Sequence, residues 1–286
     1  MVRRLQSAYR ARARRRMPAL SEARLRDLLA GKLQVARGDI VFVHSSLDGM
    51  QLDFPWFKVL AILREAVGPR GTLVFPTYPR GLSYEFLSQG NVFDVHSTPS
   101  FTGALSELAR RVPGAVRSLH PTKSVCAIGP AAEELCATHH QSPYPYDATS
   151  PYFKLLRMGG KAIGLGVSTA RMSFVHAVDD YFKGSFPVRV YHPRVFQASC
   201  IDASGRNLLV ETYAHDMNQM RHDVPRFCKR HLPRFVCEDL KIAGARFFRA
   251  DVGATLQAMV ELVPRGITIY PRSVYARKGT STCVSD

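Results

Sequence analysis

Short apolar runs and stretches of helical periodicity alternate along most of this chain. Residues 19–33 place Leu25, Leu28 and Leu29 on one helical face, with Ser21 ahead of them as N-cap and Gly31 near the close. The run over residues 39–43 is bounded by Gly38 and His44 and reads as a buried strand ending in a polar turn. A second helix is expected over 56–67, closing on Gly68-Pro69, and a second strand over 71–76. Strand, turn, helix and strand at this spacing make a βαβ unit. The same rhythm recurs as a helix over 102–111, a strand over 124–128, a helix over 130–137 and a strand over 161–167. After Pro187 the runs shorten to 188–190, 195–201 and 208–212, the last two separated by the turn Asp202-Ala203-Ser204-Gly205, which predicts an antiparallel hairpin beside the core. A helical stretch over 223–232, interrupted by Pro225, and an apolar helical pattern over 250–262 follow. The expected fold is α/β: a mixed sheet core of βαβ units with flanking helices and an additional antiparallel β segment in the C-terminal half.

With 286 residues and 46% hydrophobic content the chain is long enough for one large core. A single domain with two lobes is expected over 19–270, between a basic, flexible arm at 1–18 and a frayed tail at 271–286. No apolar run approaches the roughly 18 residues that span a bilayer, and no secretory h-region opens the chain, so a soluble cytoplasmic protein is expected. The six cysteines, at 126, 136, 200, 228, 237 and 283, show no paired spacing and read as free thiols. No metal is expected.

Charge changes the picture. Lysine and arginine number 39 against 23 acids, a formal net charge of +16, and seven arginines fall within the first 16 residues, so the remainder still carries +9. The arm reads as a solvated extension, although an acid-free, arginine-rich start also mimics a transit peptide. A basic body attracts polyanions and phosphate-bearing ligands and suits a polycationic ligand poorly. The rival to catalysis is therefore a protein that binds nucleic acid or an anionic surface. No recognised nucleic-acid-binding pattern accompanies the basic residues, which makes nucleic acid the weaker partner.

The candidate chemistry begins with His176. It follows the apolar strand near Gly164, and Asp179 three residues on shares its helical face, so a carboxylate is placed to orient the ring and raise its basicity as a general base. Asp179 reaching through water, Asp180 and other carboxylates all remain open as the orienting group. His120 and Ser118 lie in an extended turn that Pro121 keeps out of helical geometry, suited to lining a cleft and donating to an oxyanion. The His44-Ser45-Ser46-Leu47 turn ends the first strand, where open α/β sheets bind ligands. Thr98 and Ser100 precede the helix expected from Thr102, whose first residues are Thr102 and Gly103, and this block reads either as phosphate contacts or as simple capping. His139-His140 and His215-Asp216 read as surface or loop groups without metal spacing. No G-x-S-x-G elbow and no cysteine in a nucleophile context appear, so direct transfer is favoured over a covalent enzyme intermediate.

Five blocks in order carry a family resemblance: His44-Ser45-Ser46-Leu47; Thr98-Pro99-Ser100 with Gly103; Ser118-Leu119-His120-Pro121; Ser150-Pro151-Tyr152 with Lys154-Leu155; and His176 with Asp179. Over about residues 20–270 they make the chain resemble the aminoglycoside 3-N-acetyltransferases, in a divergent form. The resemblance implies a coenzyme A-dependent N-acyltransferase that uses acetyl-CoA and acts on an amine of a sugar or sugar-like acceptor. It makes His176 the base, with Asp179 and His120 beside it in the catalytic set. His44, Ser45, Ser46, Leu47, Thr98, Ser100, Thr102, Gly103 and Ser118 become the contacts to coenzyme A. The family's histidine motif ends in glutamate where this chain has Asp179, and with the basic body this points to an anionic amino sugar as acceptor. A homo-oligomer and an inactive member that keeps the fold stay open.

Overall fold

The computed structural model describes residues 18–271, so the expected arm, apart from Pro18, and the tail beyond Pro271 lie outside the described residues. The first half builds the centre of a seven-stranded sheet. Helix α1 (Glu22–Asp27) is capped by Ser21, whose hydroxyl accepts the Arg24 N–H at 3.2 Å, and it runs on as a π turn over Leu28–Lys32. Strand β1 (Ile40–Ser45) leads through a 3-10 turn and α2 (Lys58–Val67) to β2 (Thr72–Pro76), parallel to β1 with Phe42 opposite Val74. This is the expected βαβ unit.

An excursion then builds α3 (Ser83–Ser88), β3 (Phe93–Asp94), α4 (Ala104–Ala109) and β4 (Val116–Arg117). Strand β5 (Val125–Ile128) does not continue the parallel rhythm. The chain comes in along β4 at the sheet edge and turns back, so β5 lies antiparallel to both β4 and β2. Helices α5 (Ala132–Cys136) and α6 (Pro151–Arg157) return it to β6 (Lys161–Leu165), parallel to β1 on its other side. A short α7 (Ala177–Phe182) precedes the hairpin of β7 (Tyr191–Ile201) and β8 (Asn207–His215). These strands pair with β3 in a separate three-stranded sheet, and residues 188–190 stay outside β7.

Pro225 sits in the first turn of α8 (Val224–His231), where its missing N–H costs nothing, so it starts the helix that it was expected to interrupt. The hairpin of β9 (Cys237–Ile242) and β10 (Ala245–Asp251) was not expected; it extends the sheet antiparallel to β6 before α9 (Val252–Leu262) closes the fold. The order is β4-β5-β2-β1-β6-β10-β9. The three central parallel strands bury both faces: Phe42, Val74 and Ala162 face one cluster, and Val41, Val43, Leu73 and Ile163 face the other. A third cluster lies under the separate sheet, around Phe93, Phe196 and Val210. Among the described residues no helix is long and apolar enough to cross a membrane, and the five described cysteines are free and buried.

Candidate active site

Because β1, β2 and β6 run in parallel, their carboxyl ends meet at one edge, and a cleft of about 1120 Å³ opens there. Its floor comes from His44, Ser45 and Ser46 at the end of β1, and Pro76 and Tyr78 after β2. Phe101, Thr102 and Gly103 supply one wall; Trp56, 41% exposed, stands at the rim. Gly49 and Gly166 let two chain segments meet beneath this edge. An added Cβ on Gly49 would collide with the backbone of Gly166, one on Gly166 would collide with the Ser46 carbonyl, and Gly166 also has φ +71°.

His176 ends a 3-10 turn over Phe174–His176 and lies only 7% exposed against the cleft. Its Nδ1 meets Asp179 Oδ2 at 3.0 Å, and the Tyr270 hydroxyl donates to the same carboxylate oxygen at 2.6 Å while lying 3.2 Å from Nδ1. The orienting contact is thus direct. Asp180 is committed elsewhere, accepting the Tyr146 N–H and the Tyr191 hydroxyl at 2.7 Å each. Burial, reinforced by the positive charge of Lys123, pushes the His176 imidazole down to about 3. Burial pushes the Asp179 carboxyl up, and the Tyr270 hydroxyl works the other way by favouring the carboxylate. A carboxylate here holds the proton on Nδ1 and leaves Nε2, which makes no hydrogen bond among the described residues, as the basic nitrogen.

His44 lines the cleft, yet its Nε2 accepts the Ser173 N–H at 3.2 Å and lies 3.0 Å from the Ser173 hydroxyl. It therefore anchors the segment leading into His176. Ser45, Ser46, Leu47, Thr102 and Gly103, which the sequence offered as coenzyme A contacts, line the cleft, and Gly103 adopts φ +125° against the Ser45 carbonyl.

Asp179 meets the cleft only through His176, and four further expected site residues do not reach it. Thr98 accepts the Asp94 N–H at 2.8 Å, closing the turn after β3, and Ser100 bonds the Thr102 hydroxyl at 2.8 Å from a buried position. Ser118 is fully buried with its hydroxyl 2.8 Å from His139 Nδ1. His120 is also fully buried, its ring tilted against that of His139 with centroids 4.4 Å apart. Its Nδ1 accepts the N–H groups of Thr122 and Lys123 at 3.2 and 3.0 Å, and its Nε2 lies 3.3 Å from the Thr212 hydroxyl. The geometry makes His120 and Ser118 the frame of a turn. What that turn presents is Lys123.

Lys123, Tyr146, His215, His222 and Tyr270 carry site geometry that sequence reasoning passed over. Lys123 borders the cleft with its ammonium 5.0 Å from the centre of the Tyr78 ring, and burial pushes it down to about 8. His215 was expected at the surface. It is instead buried between the rings of Tyr146, Tyr191 and His176, with neither ring nitrogen hydrogen-bonded among the described residues. His139 is likewise buried, and among the described residues no three His, Cys, Asp or Glu side chains gather as a metal cage.

A mixed-sheet α/β protein with an acid–base cluster at the carboxyl edge of its parallel strands is the class that fold and site define. The profile of the aminoglycoside 3-N-acetyltransferases matches residues 42–263, and the chain belongs to that family. An aminoglycoside N(3)-acetyltransferase III from Enterobacter cloacae is 33% identical over 166 residues, 52% of this chain, and the chain spans 58% of that relative's length. Another aminoglycoside N(3)-acetyltransferase III, from Salmonella sp, is 32% identical over 260 residues, covering 78% of this chain and 90% of the relative. The solved structure of AAC-VIa bound to sisomicin matches with TM-score 0.71 at 25% identity, covering 87% of this chain and 99% of the other. That of AAC-IIIb in its binary complex with CoASH matches with TM-score 0.72 at 20% identity, covering 89% and 100%, and speaks to the fold alone.

Proposed function

We propose that the protein transfers an acetyl group from acetyl-CoA to an amine of a sugar or sugar-like acceptor, with His176 as general base. The observation that carries this reading is the His176–Asp179–Tyr270 cluster, whose ring sits at the cleft wall with Nδ1 engaged and Nε2 making no hydrogen bond among the described residues. The residues fit a pantetheine-bearing ligand. The cleft is roomy, Ser45, Ser46 and Thr102 offer hydroxyls, and Gly103, at φ +125°, lines it beside them. Acetyl-CoA supplies the acetyl group as a thioester when bound.

The residues of this chain then handle one proton. His176 Nε2 takes it from the acceptor amine as the N–C bond forms and the C–S bond breaks, and returns it to the departing sulfur. Asp179 steadies the imidazolium that appears between these steps, and the hydrogen bond from the Tyr270 hydroxyl favours the charged form of that carboxyl against the effect of burial. Hydroxyls at the cleft wall are placed to favour negative charge growing on the carbonyl oxygen. No residue needs to be acylated.

The test is release of free thiol from acetyl-CoA in the presence of a panel of amino sugars, aminoglycosides and nucleotide-linked amino sugars. Amine-dependent thiol release supports the reading. Binding of coenzyme A with no turnover on any amine would mark a protein that keeps the fold without the activity.

A further inference from the structure

Two cations border the cleft, and neither has a carboxylate partner among the described residues: Lys123 and Arg171. Both are presented by anchored turns. His120 accepts the backbone N–H of Lys123 at 3.0 Å and the Tyr152 hydroxyl donates to the Lys123 carbonyl at 2.9 Å. Asp239 on β9 accepts both the N–H and the hydroxyl of Thr169, at 2.8 and 2.6 Å, fixing the 3-10 turn Thr169–Arg171. Asp48 is the one carboxylate among the described residues of the lining, against these two cations and four histidines, His44, His176, His215 and His222.

A partly buried ammonium without a counter-charge is costly to the apo fold, and the cost is recovered when an anion arrives. The histidines offer no counter-charge, since an imidazole is either neutral or cationic, and burial holds all four rings towards the neutral form. A polycationic acceptor would meet two fixed positive charges and one carboxylate, an unfavourable match. The pairing of a base with unmatched cations suits an acceptor that carries both an amine and an oxyanion.

We infer that the acceptor is an anionic amine, an amino sugar bearing a phosphate ester or a carboxylate, whose oxyanion is taken by Lys123 and Arg171 while its amine faces His176. This rests on the acetyl-transfer reading and narrows its substrate class. The inference separates the duties of the cleft: hydroxyls and the Gly103 wall for the acyl donor, cations for the acceptor.

The experiment compares kcat/KM for glucosamine 6-phosphate, muramic acid, glucosamine and kanamycin, in the native protein and in Lys123→Met, Lys123→Arg and Arg171→Gln. An anionic acceptor should be favoured over glucosamine by about tenfold or more, the scale of a charge-assisted contact. The phosphate and carboxylate arms identify which oxyanion is preferred. In Lys123→Met that preference should fall by about tenfold, chiefly through KM, and Lys123→Arg should retain most of it. Kanamycin preferred over both anionic amines, or an unchanged preference in Lys123→Met, would overturn the inference. So would an equal loss on every acceptor together with weaker coenzyme A binding, which would assign Lys123 to the coenzyme. If no amine supports thiol release, the acetyl-transfer reading fails separately. Calorimetric titration of glucosamine 6-phosphate into native and Lys123→Met protein then decides the anion site alone, with binding lost in the variant expected and equal binding contradicting it.

Discussion

At the scale of single residues, the candidate base was legible and its surroundings were not. His176 and Asp179 are three apart, and helical geometry alone brings them onto one face, where the structure places them in direct contact. Tyr270 lies 91 residues from Asp179 and touches it only because the chain beyond α9 folds back over α7, which no local pattern announces. His120 misled for the opposite reason: a polar block in a turn resembles a cleft wall, while its ring is spent on backbone N–H groups. Tyr270→Phe should lower turnover by about three- to tenfold and leave coenzyme A affinity within a few-fold, since it removes a bond to the carboxylate and no contact with the reacting atoms. Unchanged turnover in steady-state assays would make that hydroxyl structural. A histidine-like ascending limb in the pH–rate profile is not expected, because burial holds the imidazole at about 3 and the base is already deprotonated above that value. The limb should instead follow the pKa of the acceptor amine, moving when acceptors of different basicity are compared. A limb fixed near 6.5 for all acceptors would show that the ring titrates as an exposed histidine does.

Among the elements, those with clean periodicity were readable and those interrupted by charge were not. The βαβ unit from β1 to β2 and the hairpin of β7 and β8 follow directly from apolar runs and their turn residues. The hairpin of β9 and β10 carries Glu238, Asp239, Lys241, Arg246, Arg249 and Asp251, which obscure its alternation even though Phe247 and Phe248 are buried. The antiparallel sense of β5 is a tertiary outcome, fixed by entry along β4. Gly49 and Gly166 hold the cleft edge together by backbone contact, so Gly166→Ala should cost about 2 kcal/mol from strain at positive φ together with the clash. Chemical denaturation would detect this as a lower midpoint at constant m-value. A stability equal to native would mean that the edge relaxes without penalty.

For the whole molecule, the buried histidines set the response to acid. His44, His139 and His176 are pushed down to about 3 and His222 to about 4, while the unfolded chain takes up protons at about 6.5. Groups with depressed folded values contribute stability above 6.5 and lose it as pH falls towards 3 or 4. Asp179 and Asp180 act in the opposite sense: their raised carboxyls contribute most at low pH, and that contribution is lost as pH rises through their folded values. The histidines outnumber them, so the thermal midpoint should fall steadily between pH 6.5 and 4. A midpoint flat across that window would contradict the buried, neutral assignment of the rings. The basic charge of the chain was legible from composition, but the placement at the cleft of two cations with no carboxylate partner among the described residues needed the fold. The central claim, that this cleft transfers an acetyl group with His176 as its base, is tested most directly by one comparison: amine-dependent thiol release from acetyl-CoA by native and His176→Gln protein, with coenzyme A affinity measured alongside. The account predicts turnover lower by about 100-fold or more in the variant, with coenzyme A binding within a few-fold of native. Native-like turnover in His176→Gln would contradict it.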